Sequence, residues 1–221
     1  MILANVAAAE GLDRQVVLAR LRDTRPPEDV TRGGLTGLST PLSAALAARL
    51  SAPAVPAAVL VPLLERRSGR LDVVFTERAP HLRRHAGQIS FPGGRIDPGD
   101  HGPAAAALRE AREEIGLLPQ SVVLAGYLDA QLTITGFAVT PVVGVIDEAE
   151  YRPRPAPGEV ASVFTAPLAF FLDPANRRLG QREVQGSCFE VVEYHWEGHR
   201  IWGATAAMLI RLTTMLIETK S

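Results

Sequence analysis

The sequence predicts an α+β sandwich, a mixed β-sheet held between helices, and three observations carry the prediction. Strand pairs lie on both sides of one short acidic helix, a helix with an apolar stripe closes the C-terminal end, and two Ala- and Leu-rich helical patterns occupy residues 1–52. No internal repeat is apparent.

In chain order, Leu12, Val16, Ala19 and Leu21 form the first helical pattern, which Arg25-Pro26-Pro27 ends. Leu42, Leu46, Ala47 and Leu50 form the second. This helical N-terminal extension, 1–52, is expected to cover the core of the 53–221 domain or to contribute to a dimer interface. Apolar 59–64 and 71–78, separated by the charged turn 65–70, read as a β-hairpin with Arg66, Arg67 and Arg70 as solvated turn charges. The β-rich runs 122–132 and 137–146 break at Thr135-Gly136, and a Pro-rich acidic loop, 147–158, follows. Strand-like 161–164, a short helix at 167–172 and a hairpin of 182–185 with 189–196 around Gly186-Ser187 come next. The final helix is expected over 205–219, with Ala206, Leu209, Leu212, Met215 and Leu216 buried.

At 221 residues, 47% hydrophobic and 21% charged, the chain has the make-up of one soluble domain with a decorated end. Its net charge of -1 argues against broad electrostatic capture of nucleic acid or an anionic membrane, so the expected partner is a small molecule. The lone cysteine, Cys188, cannot form an internal disulfide and reads as a buried strand residue. Residues 1–9 lack a basic start and a long apolar core, and the C-terminal apolar run is broken by Arg211 and Glu218. A cytoplasmic protein is expected.

The chemistry concentrates in 87–117, GQISFPGGRIDPGDHGPAAAALREAREEIGL. A helix is expected over 103–115, because Pro103 suits a first turn, alanines follow, and Gly116 sits where a left-handed stop belongs. At roughly 100° per residue, Ala104, Leu108, Ala111 and Ile115 share one face, with Glu110, Glu113 and Glu114 opposite. Carboxylates at this spacing repel, and Arg109 and Arg112 leave oxygens free, so a hard divalent cation is their natural partner. A solvated acidic face is the commoner reading of such a run, but the preceding Phe91-Pro92-Gly93-Gly94 changes it. Those residues give an aromatic anchor, a fixed φ and two positions without Cβ, where backbone can approach a ligand or offer a carbonyl to a metal.

This pattern resembles the Nudix box: Gly94, five residues, Asp100, a spacer, then Arg109, Glu110, Ala111, Glu113, Glu114, Gly116 and Leu117. Asp100 stands where a glutamate is usual, and the spacer is one residue longer than in most members. Both departures are similar to the coenzyme A pyrophosphatase branch. So is a second signature immediately upstream, Thr76, Arg78, Ala79, Arg83, Gly87 and then Phe91 to Gly94, as is 201–206, IWGATA. The resemblance covers about residues 55–219 and implies a Nudix-type α/β/α sandwich.

It also implies a Mg²⁺- or Mn²⁺-dependent hydrolase of coenzyme A. Glu110, Glu113, Glu114 and the Gly94 carbonyl are the expected metal ligands, and Arg109 steers the glutamates. Arg78, Arg83, Gln88, Ser90, Phe91 and Gly93 are expected to bind substrate, with His85 a further candidate phosphate contact. A second anionic pocket is expected for the 3′-phosphate. Glu159 is an expected extra ligand or base, rivalled by Glu148 and Glu150, and the sequence does not choose between Glu159 and a helix acid as the base. The alternatives are a Nudix hydrolase of ADP-ribose or NADH and a non-catalytic Nudix-like ligand sensor.

Overall fold

The computed structural model describes residues 12–35, 52–83, 85–184 and 187–218. The expected helix of Leu42 to Leu50, Arg84, the run 1–9 and the Gly186 turn lie outside the described residues, as does the side chain of Cys188.

Strand β1 (Val55–Glu65) organises the sheet. Helix α2 (Pro103–Ile115) packs on one face of it, while α1 (Arg14–Leu21), α3 (Leu168–Leu172) and α4 (Gly203–Ile217) are on the other. The two-residue period of a strand divides β1 between these layers. Ala58, Leu60 and Leu64 join Ala106, Ala107, Ala111 and Ile115 in one core; Ala57, Val61 and Leu63 join Phe75, Phe171, Leu209 and Leu212 in the other. The architecture is the α/β/α sandwich that the sequence predicts.

Parallel pairing of β1 with β7 (Phe137–Asp147) runs in register from Val55↔Phe137 to Glu65↔Asp147. Both strands are apolar almost throughout, as a strand covered on both faces requires. Every other pairing in this sheet is antiparallel, so the sheet is mixed. β2 (Leu71–Arg78) lies between β1 and both β3 (Ile89–Ser90) and β8 (Val160–Pro167); β4 (Gly93–Arg95) pairs with β1, and β5 (Val122–Tyr127) and β6 (Gln131–Leu132) pair with β7. A separate sheet holds β9 (Arg178–Val184), β10 (Ser187–Trp196) and β11 (His199–Trp202) in the order β11-β10-β9.

Three local expectations are corrected. The run 122–132 is two strands, β5 and β6, parted at 128–130; within β5 the register slips between Leu124 and Gly126 (φ 155°), where a Cβ would lie 2.3 Å from the Leu21 carbonyl oxygen. In α1, Val17 and Leu21 are the buried residues instead of Val16 and Ala19; they pack into the core shared with α4, and Asp13 caps the helix by accepting from the Val16 amide at 2.9 Å. Arg66 is no solvated turn charge: it donates to Asp72 at 2.7 Å, Glu148 at 2.9 Å and the Thr165 hydroxyl at 2.9 Å, tying three segments together at the end of the sheet.

Candidate metal and phosphate site

Helix α2 begins at Pro103 and ends on Gly116 in the left-handed region (φ 68°), as expected. Its buried stripe is not the expected one. Pro103, Ala106, Ala107, Ala111, Glu114 and Ile115 are buried, while Ala104 and Leu108 are only partly so. The helix is therefore turned about its axis toward its acidic side, since alanines can pack closely on either flank of the leucine and isoleucine. This rotation sets Glu114 beneath the helix, only 4% exposed.

Beside it lies the Gly93-Gly94 strand. A Cβ on Gly93 would lie 2.4 Å from the Ala58 carbonyl oxygen and 2.6 Å from the Val59 Cα, so only glycine allows β4 to pair with β1. On Gly94 it would lie 2.3 Å from Glu110 Oε1, so the missing side chain leaves the space that the Glu110 carboxylate fills. Phe91 secures the loop from below, stacked on Phe75 at 5.3 Å between ring centroids. Its ring is 3% exposed and belongs to the core.

Arg109 holds the acids in place. It forks onto Asp100, with Nε to Oδ1 at 3.1 Å and Nη2 to Oδ2 at 3.0 Å, and donates from Nη1 to Glu110 at 2.9 Å and Glu113 at 3.3 Å. Nη2 also donates to the Arg95 carbonyl at 3.0 Å. Asp100, to which the sequence assigned no part, thus orients the arginine that orients the glutamates, and accepts from the Asp97 amide at 2.8 Å. Glu113 remains largely exposed.

Glu159 comes to the same place by strand pairing. It directly precedes β8, whose Val160 pairs with Arg78, and its carbonyl accepts from the Ala79 amide at 2.8 Å. Glu110 and Glu114 both feel its charge, and Glu114 feels that of Glu110 as well. Glu148 is committed to Arg66 and the Arg67 amide, so that rival serves the far end of the sheet.

Electrostatics follow from this crowding. Burial, and after it the charges of Glu110 and Glu159, push Glu114 up to about 8, against the pull of Arg78 and the Gly93 amide. Glu110 is also raised, chiefly by burial, with Glu113 and Glu159 adding to it and Arg109 opposing. Arg78 stands 4.0 Å from Glu114, and its Nε is buried without a hydrogen-bond partner. Arg83 is exposed and meets no acid among the described residues; Gln88 bonds to His85 Nδ1 at 2.8 Å, and the Ser90 hydroxyl lies 3.0 Å from that of Thr76. The structure thus gathers Arg78, Gly93, Gly94, Glu110, Glu114 and Glu159, and leaves Arg83 and Gln88 on the adjoining loop.

Among the described residues no group of three or more acidic, histidine or cysteine side chains is arranged to hold a metal ion. The fit to a divalent cation is in the donor set: hard oxygens, a glycine-lined approach, and a buried carboxylate whose ionisation its neighbours oppose. A cation there would relieve that opposition.

The NUDIX domain model matches residues 54–184, more than half of the chain. "Nudix hydrolase 15, mitochondrial" of Arabidopsis thaliana is 39% identical over 167 residues, 73% of this chain and 59% of that protein, which is under two thirds of its length. "Uncharacterized Nudix hydrolase NudL" of Salmonella paratyphi B is 41% identical over 160 residues, covering 72% of this chain and 82% of that one. Among solved structures, the Nudix hydrolase RenU of M. smegmatis aligns with a TM-score of 0.47 at 22% identity, over 75% of this chain and 88% of that one. The acidic helix, Pro103–Ile115, lies within the matched segment. The chain belongs to the Nudix family.

Proposed function

We propose that this protein is a divalent-cation-dependent diphosphatase that cleaves coenzyme A to 4′-phosphopantetheine and adenosine 3′,5′-bisphosphate. The observation that carries the reaction type is the convergence of Glu110, Glu114 and Glu159 beside Gly93-Gly94 and Arg78, with Glu114 pushed up to about 8. The substrate rests on the run of Thr76, Arg78, Ala79, Arg83 and Gly87 leading into the Phe91–Gly94 motif, and extends to acyl- or oxidised forms of the coenzyme.

In this reading Glu110, Glu113, Glu114 and the Gly94 carbonyl hold Mg²⁺ or Mn²⁺. The cation, when bound, would neutralise phosphate oxygens and acidify a water. Arg109, fixed by Asp100, keeps Glu110 and Glu113 in place. Arg78 places its guanidinium against the diphosphate, with Arg83, Gln88, Ser90 and Gly93 lining the approach. Glu159, exposed at the mouth of the site, takes the proton of the attacking water. The proposal includes a cytoplasmic setting, a homodimer, and residues 1–52 that cover the core or contribute to the dimer interface. No helix among the described residues is long and apolar enough to cross a membrane.

Purified protein incubated with Mg²⁺ or Mn²⁺ and, separately, coenzyme A, dephospho-coenzyme A, ADP-ribose and NADH tests the reading, with products identified by mass. Coenzyme A should give the two named products fastest. Faster turnover of ADP-ribose or NADH would replace the substrate, and no turnover of any would favour a ligand sensor.

A further inference from the structure

The β9–β11 sheet carries a second charged cluster that the hydrolytic site does not use. At its centre is Glu193, only 6% exposed. Its Oε2 accepts from Arg182 Nη2 at 2.8 Å and from Arg200 Nε and Nη2 at 2.9 and 2.7 Å, and its Oε1 lies 2.8 Å from His195 Nε2. Room for the carboxylate comes from Gly180, where a Cβ would lie 2.3 Å from Glu193 Oε2. Arg182 also lies over the Trp202 ring, 4.9 Å from its centroid.

Strand register explains the one-sided charge. Glu193 is opposite Arg178 on β9 and Trp202 on β11, and His195 is opposite Arg200. Alternation then places Arg178, Arg182, Glu193, His195, Arg200 and Trp202 on one face, whereas Glu183 and Glu190 belong to the other. That face has three guanidiniums and an imidazole around one carboxylate, in a chain whose net charge is -1. One acid cannot neutralise three arginines. It can hold two of them in place, which lowers the cost of ordering them around a second anion. Arg200 remains 44% exposed at its side chain, so its remaining donors are open to solution.

The strand that carries Arg200 lies one segment away from the hydrolytic loop. β11 packs beside β3, in the loop that leads to Gly93, and the Thr205 hydroxyl, just past β11, donates to the Ile89 carbonyl at 3.1 Å.

The geometry points to a phosphomonoester-binding site on this face, formed by Arg182 and Arg200 and positioned by Glu193, that takes a monoester phosphate carried by the substrate apart from its diphosphate. The ligand's identity rests on the reading above, since the adenosine 3′-phosphate is the monoester a coenzyme A diphosphatase meets. The cluster itself does not rest on that reading. Arg182 and Arg200 contact the phosphate, and Glu193 is a positioning residue.

Binding to metal-free protein separates the two ideas, because it needs no turnover. Adenosine 3′,5′-bisphosphate, adenosine 5′-monophosphate and orthophosphate are titrated calorimetrically into the wild type, Arg182→Ala, Arg200→Ala and, as a control, Arg67→Ala. The bisphosphate should bind more tightly than the monophosphate, and each of the first two substitutions should weaken it about tenfold, the loss of one charge-assisted contact. Arg67→Ala should not. If both nucleotides bind equally, or if the substitutions leave bisphosphate affinity unchanged in variants that melt like the wild type, the site is overturned. Orthophosphate binding that neither substitution alters overturns it too. Where coenzyme A is turned over, Arg200→Ala should lower kcat/KM for it relative to dephospho-coenzyme A by a similar factor; failure of turnover alone would count against the diphosphatase reading and leave the binding result standing.

Discussion

Glu114 and Glu193 are both buried carboxylates, 4% and 6% exposed, each beside a glycine-lined stretch of strand, yet their electrical surroundings are opposite. Glu114 meets the charges of Glu110 and Glu159, and its nearest cation, Arg78, stands 4.0 Å away. Glu193 is gripped by two guanidiniums at 2.7 to 2.9 Å with an imidazole alongside. Burial makes a lone carboxylate costly and a paired one tolerable. In the first cluster the acids therefore outnumber the arginines, Arg78 and Arg109, and in the second the arginines outnumber the acid. One is suited to receive a cation and the other an anion, as the proposed substrate, with phosphates on two positions of its ribose, would require.

The sharpest way to break this contrast is to neutralise Glu114. Glu114→Gln should reduce Mg²⁺-dependent hydrolysis by about 10²–10³-fold, the usual effect of removing one well-placed electrostatic partner of a transition state. The same substitution should raise the melting temperature of metal-free protein at pH 8.5, because it removes a charge that the site opposes. Steady-state kinetics and calorimetric melting check the two halves. Full activity in the variant would remove Glu114 from the chemistry, and an unchanged melting temperature would mean that its burial is not opposed as inferred.

Glu193→Ala should behave in the reverse sense. It removes the acid at the centre of a basic face, so Arg182 and Arg200 would repel across the gap above Gly180. Breaking a fully buried pair costs about 3–5 kcal/mol, but these arginines are partly exposed, so about 2 kcal/mol is expected here. Urea unfolding measures it. The loss should shrink in high salt, which screens the remaining arginines from each other. A loss that salt leaves unchanged would point to the cavity as its cause.

Legibility from sequence also differs between the two regions. The Gly93–Gly116 region could be read because its parts are close in the chain: the proline start, the glycine stop and the Arg109-to-Glu113 spacing are all local. The rotation of α2 was not legible, because Ala104, Ala106, Ala107 and Ala111 fit a core on either side and only the sheet selects one. Nor was the Asp100–Arg109 fork, which closes across the loop preceding the helix. Glu159 was named, but its reach to Glu110 and Glu114 depends on the β2–β8 register. In the second region even the pattern was missed. Period-two spacing places Glu193 with His195, Arg178 with Arg182 and Arg200 with Trp202, but which strand faces which is decided by turns that alternation does not specify.

The smallest expected effect is also the most diagnostic of charge, because it needs no mutation. Glu114 has an ordinary value of 4.5 and about 8 in the folded protein, so between those limits the folded chain binds a proton that the unfolded chain has lost. Stability from this group is complete below about 4.5 and is lost as pH rises through about 8, on the order of a few kcal/mol at most. Metal-free protein should therefore melt progressively lower from pH 5.5 to 8.5. A cation that binds the ionised carboxylate competes with the proton at low pH and removes the penalty at high pH. Added Mg²⁺ should consequently raise the melting temperature more at pH 8.5 than at pH 5.5, by a few degrees. Glu114→Gln should flatten both the slope and the difference, whereas Glu193→Ala should lower the curve without flattening it. An equal Mg²⁺ increment at the two pH values would mean that the ion is held by acids already charged at pH 5.5, such as exposed Glu113, and that Glu114 is not a ligand.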